Sequence, residues 1–335
     1  MTTPLLEVTD LHLAFASREG VTRALEGVSW QLHAGEMLGI VGESGCGKSV
    51  TAMAVLRLLP APPTTHISGA IRFRGENLLQ ASAARLQQIR GNEISMIFQD
   101  PMTSTNPVLT IGEQIAEVLM LHQQLGRRAA WARAVELLDL VNIPDPQRRV
   151  HEYPHQFSGG MRQRAMIAIA LACKPDVLIA DEPTTALDVT IQAQIMELLD
   201  RLRRETGTAI VLITHDLGVV AESCDRVVVM YAGAKVEEAT TAELFAHPGH
   251  PYTRGLLDAM PRLDTPLTEP RGRLPEIPGM VPSLRGVAVG CRFAPRCALA
   301  DNRCRSEVPP FAPIDGANPT HRAACWRTVC EATAE

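Results

Sequence analysis

The chain has 335 residues but lacks any long uninterrupted apolar run. No stretch reaches the roughly 18 apolar residues that identify a membrane-spanning helix. The N-terminus also lacks the basic residues and apolar segment of a secretory signal, and it has Glu7 and Asp10 in that place. We therefore expect a soluble protein that acts from the cytoplasm.

A surplus of positive charge is lacking as well. The chain has 32 Lys and Arg residues against 37 Asp and Glu residues, a formal net charge of -5. Binding to the phosphate backbone of a nucleic acid favours a basic face. The composition therefore argues against a nucleic-acid partner.

The pattern along the chain predicts an α/β fold. Residues 5–15 and 24–32 alternate like strands around a polar turn at 17–20, and residues 72–77 continue this β-rich region. Residues 111–125 and 129–141 have helical periodicity, which predicts an inserted helical subdomain over about 102–160. The apolar runs at 177–180, 209–214 and 226–231, with the amphipathic segment 189–204 between the first two, predict a parallel sheet with crossover helices.

Proline becomes frequent after about residue 246. With a length that suits about two domains, this change predicts a nucleotide-binding unit over 1–246 and a loop-rich unit over 247–335.

A glycine-rich loop at residues 42–49, Gly-Glu-Ser-Gly-Cys-Gly-Lys-Ser, follows the apolar run 37–41 and precedes the apolar segment 52–59. We call it the phosphate loop. In a strand-loop-helix setting, its backbone N–H groups cradle a polyphosphate, Lys48 reaches the terminal phosphates and the Ser49 hydroxyl ligates Mg²⁺. The pattern predicts nucleoside triphosphate binding. The predicted binding residues are Gly42, Glu43, Ser44, Gly45, Cys46, Gly47, Lys48, Ser49 and Val50.

Two adjacent acids end the apolar run 177–180. The carboxyl end of a strand in an open parallel sheet is where ligands bind. Asp181 can hold Mg²⁺ there, and Glu182 can take a proton from an attacking water. The pair predicts nucleotide hydrolysis.

A second glycine motif lies at residues 157–164, Phe-Ser-Gly-Gly-Met-Arg-Gln-Arg, ahead of an apolar helical run. We call residues 157–161 the signature loop. Its N–H groups and the Ser158 hydroxyl can bind phosphate. Since the phosphate loop already serves one nucleotide, this loop predicts contact with another.

Together these motifs resemble those of the ATP-binding subunits of ABC transporters. The resemblance implies that Ser158, Gly159, Gly160 and Met161 close over the ATP of a partner subunit, so that two ATPs lie between two such domains. Met161 departs from the glutamine that the family usually has there.

Four further positions match the family in chain order. The resemblance implies that Gln99 senses the γ-phosphate and joins Ser49 and Asp181 at Mg²⁺. It implies that Asp188 lies in a loop at the dimer interface and that His215 is the switch histidine beside Glu182. Phe15 resembles the aromatic residue that stacks on adenine.

Residues 247–257 and 274–282 resemble a C-terminal extension of the ATPase subunits of dipeptide and oligopeptide importers, of the D type. This implies a paralogous F-type ATPase subunit, two transmembrane permease subunits and, indirectly, an extracytoplasmic peptide-binding protein as partners. The implied location is peripheral, at the cytoplasmic face of the inner membrane. An importer for nickel or another small solute, and a metal- or redox-regulated ATPase outside transport, are alternatives.

Five of the eight cysteines lie after residue 290. Such crowding in a cytosolic chain disfavours disulfides and suggests a metal. The tight C-x2-C pairs of structural zinc sites are absent, so the spacing favours an iron–sulfur cluster, with zinc or unliganded thiols as alternatives. The subfamily resemblance implies a [4Fe-4S] cluster held by Cys291, Cys297, Cys304 and Cys325, with Cys330 as a spare. We expect Cys46, Cys173 and Cys224 to be small buried residues.

Overall fold

A computed structural model describes residues 3–18, 20–100, 104–185, 188–260, 276–282, 284–285, 289–314, 316 and 318–328. Cys330, the predicted spare thiol, lies outside these residues. Within them, no helix is long and apolar enough to cross a bilayer.

The N-terminal region forms a four-stranded antiparallel sheet in the order β2-β1-β4-β5. Its strands are β1 (Leu6–Ser17), β2 (Gly20–Leu32), β4 (Thr65–Phe73) and β5 (Glu76–Asn77). Apolar residues of β1 such as Leu6, Val8, Leu11 and Leu13 are buried, while polar neighbours face solvent. The predicted β-rich region is confirmed.

A second sheet forms the centre of the molecule. Its parallel part runs in the order β9-β3-β8-β7-β6. The strands are β3 (Met37–Val41), β6 (Ile94–Ile97), β7 (Val177–Asp181), β8 (Ala209–Thr214) and β9 (Arg226–Tyr231). Strands β3, β7 and β8 are buried on both faces, as parallel strands between helices are. Four helices belong to this core: α1 (Lys48–Val55), α2 (Ala83–Ile89), α7 (Val189–Thr206) and α8 (Leu217–Ser223).

Helices interrupt the chain between β6 and β7. They are α3 (Ile111–Gln123), α4 (Arg127–Leu140), the short α5 (Pro146–Arg149), a 3-10 turn (Pro154–Gln156) and α6 (Gly159–Leu171). A capping box starts α3, where the Thr110 hydroxyl accepts from the Glu113 N–H and the Glu113 carboxylate accepts from the Thr110 N–H. Ile115, Leu119 and Leu138 are fully buried. The predicted helical insertion is confirmed.

The C-terminal region extends the central sheet. Strand β10 (Ala234–Thr240) pairs with β9, and β12 (Arg322–Ala323) pairs with both β10 and β11 (Ala312–Pro313), always antiparallel. The remaining elements are α9 (Thr241–Ala246), α10 (Pro251–Asp258), a 3-10 turn (Ala294–Arg296) and α11 (Asn302–Ser306). The boundary after residue 246 stays a prediction, and the described residues beyond it share the sheet of the core.

A buried carboxylate joins the central sheet to the C-terminal region. Glu237 of β10 is fully buried and accepts hydrogen bonds from the N–H groups of Gly249 and His250, at 2.6 and 2.8 Å. The Nε2 atom of His321 lies 2.7 Å from the same carboxylate. One side chain therefore holds the start of α10 and the segment before β12 against the sheet edge.

Replacement of Glu237 tests this joint. Glu237→Ala leaves two buried N–H groups and a buried imidazole without their acceptor, so we expect a loss of roughly 3 to 5 kcal/mol in the free energy of unfolding. The matched control is Glu307→Ala, which breaks an exposed ion pair with Arg303 and should cost less than about 1 kcal/mol. Urea denaturation of the full chain measures both. Equal losses in the two variants would contradict a special role of Glu237.

Candidate functional site

The phosphate loop connects the end of β3 to the start of α1, as predicted. Gly42 begins it with φ 151°, and a Cβ there would lie 2.2 Å from the carbonyl oxygen of Met230. Gly47 precedes α1 with φ 102°, and a Cβ there would lie 2.6 Å from Leu25. Only glycine fits these two positions, because each combines a positive φ with a neighbouring atom that would clash with a Cβ.

Lys48 and Ser49 point from the first turn of α1 to the loop and to β7. The Lys48 Nζ atom donates to the carbonyl oxygens of Gly42 and Glu43, at 2.7 and 3.1 Å. The Ser49 hydroxyl donates to Asp181 Oδ1 at 3.0 Å. A hydroxyl and a carboxylate therefore meet beside a buried ammonium group, which is the donor set that Mg²⁺ and phosphate require.

Glu182 lies at the centre of a group of side chains that the sequence separates widely. Its carboxylate accepts from Gln99 Nε2 at 2.9 Å and from the Thr185 hydroxyl at 2.8 Å. The Nδ1 atom of His215 lies 3.4 Å away. The structure thus brings together the predicted Gln99, Glu182 and His215, and it adds Thr185.

The backbone of Glu182 is unusual. Its φ of 48° lies in the left-handed region, which costs free energy for a residue with a side chain. Its N–H donates to the carbonyl oxygen of Ile213 on β8 at 2.8 Å, which holds this turn in place. The turn directs the carboxylate toward Gln99 and His215.

The two neighbouring carboxylates have opposite pKa shifts. Burial raises the pKa of Asp181 above its ordinary value, despite the hydrogen bond from Ser49. Burial is the largest single influence on Glu182 and acts in the same direction, but hydrogen bonds from Thr185 and His215, together with the electrostatic attraction of His215 and Lys48, outweigh it and lower its pKa. Glu182 is therefore ionised at neutral pH, as a proton acceptor must be.

The signature loop is separate from this group. Ser158 caps α6 by accepting from the Met161 N–H at 3.4 Å, and Asp188 caps α7 by accepting from the Ile191 N–H at 2.9 Å. Gly160 packs against Ile191, so the two helix starts are adjacent. Ser158, Gly159 and Asp188 are exposed, and in the described part of the chain none of their hydrogen bonds reaches Lys48 or Glu182.

Phe15 lies in β1 and is half-buried, packed against the core of the antiparallel sheet. Cys46 and Val50 lie on the inner side of the phosphate loop and of α1, where Cys46 is buried. Cys173 and Cys224 are buried as well, so the prediction for these three cysteines is confirmed.

Four cysteines of the C-terminal region line one pocket together with His250 and Trp326. We call it the cysteine pocket. The cysteines are Cys291, Cys297, Cys304 and Cys325. The accessible space between these groups is about 10 Å³, which is room for about one water molecule at most. Among the described residues, no three His, Cys, Asp or Glu side chains are grouped closely enough to hold a metal ion, and no cysteine forms a disulfide.

Some site residues were missed by the sequence patterns. Thr185 stands three positions after Glu182, a spacing at which a hydroxyl can reach back to a preceding side chain. Tyr252 and Arg296 contact Glu43 from more than 200 positions away, and no local pattern identifies them.

Two family models match the chain. The model described as "ABC transporter" matches residues 25–185, and the model described as "Oligopeptide/dipeptide transporter, C-terminal region" matches residues 236–304. The first match covers the phosphate loop, the signature loop and Glu182. The second covers Glu237, Tyr252 and the first three cysteines of the cysteine pocket.

Curated relatives match over nearly their full length. A probable peptide ABC transporter ATP-binding protein of Sinorhizobium fredii is 57% identical over 97% of this chain and 95% of its own. The oligopeptide transport ATP-binding protein OppD of Haemophilus influenzae is 52% identical over 90% and 92% of the two chains. The protein of the same name in Bacillus subtilis is 51% identical over 97% and 89%.

Solved structures share the fold of the core. The dimeric bacterial ABC transporter cassette MJ0796 superposes with a TM-score of 0.63 and 28% identity, over 70% of this chain and 98% of that one. The CbiO1 protein of Clostridium perfringens gives 0.61 and 28%, over 73% and 92%. With these matches, the chain belongs to the family of ABC transporter ATP-binding proteins.

Proposed function

We propose that this chain is the ATP-hydrolysing subunit of a membrane importer for dipeptides or short oligopeptides. The observation that carries the hydrolytic part is the group around Glu182, beside Lys48 and the Ser49–Asp181 pair. The match of the C-terminal region to the peptide transporter model supports the substrate class. The relatives named as peptide transport proteins support it further.

The site residues fit ATP and Mg²⁺. The N–H groups of the phosphate loop and Lys48 bind the phosphates, and Phe15 stacks on the adenine ring. Ser49, Asp181 and Gln99 hold Mg²⁺, which when bound offsets the negative charge on the phosphates.

Glu182 accepts a proton from the attacking water, and His215 orients that carboxylate. Gln99 links this group to the helical subdomain, because it follows β6 and precedes α3.

Each site is completed by a second ATPase subunit. Ser158, Gly159, Gly160, Met161 and Asp188 lie on two adjacent helix starts, and Val189 beside them is 83% exposed. An apolar side chain so exposed, next to two helix starts that can bind phosphate, supports a partner surface. We infer that this partner is a paralogous F-type chain.

The remaining partners follow from the role in import. Two permease subunits contact the helical subdomain, and an extracytoplasmic peptide-binding protein delivers the substrate to them. The chain then lies at the cytoplasmic face of the inner membrane as a peripheral subunit.

We also propose a [4Fe-4S] cluster in the C-terminal unit, residues 247–335. Four thiols around a single pocket support it, as do the high local content of arginine and the apolar surroundings. Each thiolate of such a cluster binds a different iron, so the four sulfur atoms lie farther apart than the ligands of one ion.

The role of Glu182 can be tested by Glu182→Gln. The amide keeps the shape but accepts no proton, so we expect ATP binding to persist and turnover to fall by about 100-fold or more. Lys48→Ala should instead weaken ATP binding, because it removes a positive charge from the phosphates. Equilibrium binding and phosphate release measure the two effects. Turnover of Glu182→Gln within a few-fold of the parent would contradict the assignment.

The transport function can be tested in vesicles that contain the permeases and an F-type subunit, with the binding protein on the other side. We expect ATP hydrolysis to be slow for the isolated chain, and to rise at least about tenfold with the partners when a dipeptide is added. Stimulation by Ni²⁺ and not by peptide would assign the chain to a metal importer. Full-rate hydrolysis by a monomer, independent of its concentration, would contradict the shared site.

The cluster can be tested by anaerobic purification. We expect a brown protein with about four iron atoms and four sulfides per chain, and loss of both in Cys297→Ser. The control is Cys173→Ser, which alters a buried thiol of the core and should keep the iron. If the analysis finds one zinc per chain and no sulfide, the site is a zinc site and not a cluster. If it finds no metal, both a cluster and a zinc site are refuted.

A further inference from the structure

The C-terminal region holds the second residue of the phosphate loop at two points. The N–H of Glu43 donates to the hydroxyl oxygen of Tyr252 at 2.8 Å. The carboxylate of Glu43 accepts two hydrogen bonds from Arg296, Nη1 to Oε2 at 2.6 Å and Nη2 to Oε1 at 3.0 Å. Both the backbone and the side chain of Glu43 are therefore fixed by residues that lie outside the ATPase core.

Arg296 is itself held rigidly. Its side chain is only 5% exposed, and it also donates to the carbonyl oxygens of Pro278 and Ile277, at 2.9 and 3.0 Å. The hydrogen bonds that Arg296 donates to Glu43 are the largest cause of a pKa of Arg296 well above its usual range. A permanently charged, planar group in a bidentate pair fixes direction as well as distance.

Tyr252 is equally constrained. It is fully buried, and its ring packs against Tyr231 and Phe293 with centroid distances of 4.6 and 5.5 Å. Burial raises the pKa of Tyr252 far above its usual value, so the hydroxyl stays neutral. The aromatic cluster aims this hydroxyl at the Glu43 N–H.

The contacts from Tyr252 and Arg296 act at Glu43, near the start of the phosphate loop. Gly42 has no room for a side chain against Met230 on β9, and Glu43 is the next residue of the loop. A small rotation of that peptide would redirect every N–H that follows it in the loop. Arg296 also neutralises a carboxylate that would otherwise repel the phosphates of a nucleotide. The fixed position of the Glu43 peptide and the neutralised Glu43 carboxylate therefore both favour phosphate binding.

We propose that Tyr252 and Arg296 are positioning residues of the nucleotide site, so that the affinity of this chain for ATP depends on its C-terminal region. The inference rests on the ATP site proposed above. Both residues act through Glu43, which each of them contacts directly.

Binding of Mg²⁺–ATP to the full chain tests the inference. Tyr252→Phe keeps the ring and removes only the hydroxyl, and we expect the dissociation constant to rise about threefold to tenfold. Arg296→Gln should raise it about tenfold or more, and Arg296→Lys less than that. The matched control is Arg254→Gln, an exposed arginine of α10 whose hydrogen bond goes to the Pro248 carbonyl; its dissociation constant should stay within about twofold of the parent.

Two further measurements separate positioning from a general loss of structure. In the assembled transporter, KM for ATP should rise in Tyr252→Phe while kcat at saturating ATP stays unchanged. Because Arg296 acts through Glu43, the double variant Glu43→Gln with Arg296→Gln should bind ATP no more weakly than Arg296→Gln alone.

The outcomes are distinct. Parental affinity in both Tyr252→Phe and Arg296→Gln, with Lys48→Ala still impaired, would overturn the inference and leave the ATP site standing. Parental affinity in Lys48→Ala as well would refute the ATP site itself. Equal losses in Arg254→Gln and Arg296→Gln would also overturn the inference, since any damage to the C-terminal region would then suffice.

Discussion

The parallel direction of four strands places the predicted site residues at the same end of the central sheet. Strands β3, β6, β7 and β8 end at Val41, Ile97, Asp181 and Thr214, and in parallel register these carboxyl ends lie side by side. The phosphate loop follows β3, and Gln99 lies just after β6. Glu182 follows β7 directly, and His215 follows β8 directly. A reversed strand would carry its group to the opposite edge. The hydrogen bonds around Glu182 are thus a consequence of strand direction, which the helical crossover connections between the strands set.

The local motifs were accessible from the sequence because their physics is local. A glycine loop between an apolar strand and a helix depends on neighbouring residues alone, and so does the helical periodicity before Pro144 and Pro146. The grouping of Gln99, Glu182 and His215 was reached only through the family resemblance, since nothing in their spacing brings them together. Thr185 was overlooked, because a single hydroxyl in a turn resembles many solvated ones.

The attachment of the C-terminal region could not be predicted in the same way. Its short strands β11 and β12 have two residues each, too few for any alternation to appear. The joint at Glu237 depends on a carboxylate that sequence patterns would place in solvent, because an acidic residue in a strand at the end of a domain is usually exposed. The structure buries it completely, since two backbone N–H groups and an imidazole converge on it. Long-range convergence of this kind is visible only after folding.

The same region lies between two features of different chemistry. Arg296 faces Glu43 of the phosphate loop, and the next residue, Cys297, faces the cysteine pocket. The two residues are adjacent at the end of a short 3-10 turn (Ala294–Arg296), in which Pro295 fixes its own φ angle. The turn that presents Cys297 to the cysteine pocket therefore also presents Arg296 to Glu43. The C-terminal region is thus built as a support of the ATP site as well as an extension of the sheet.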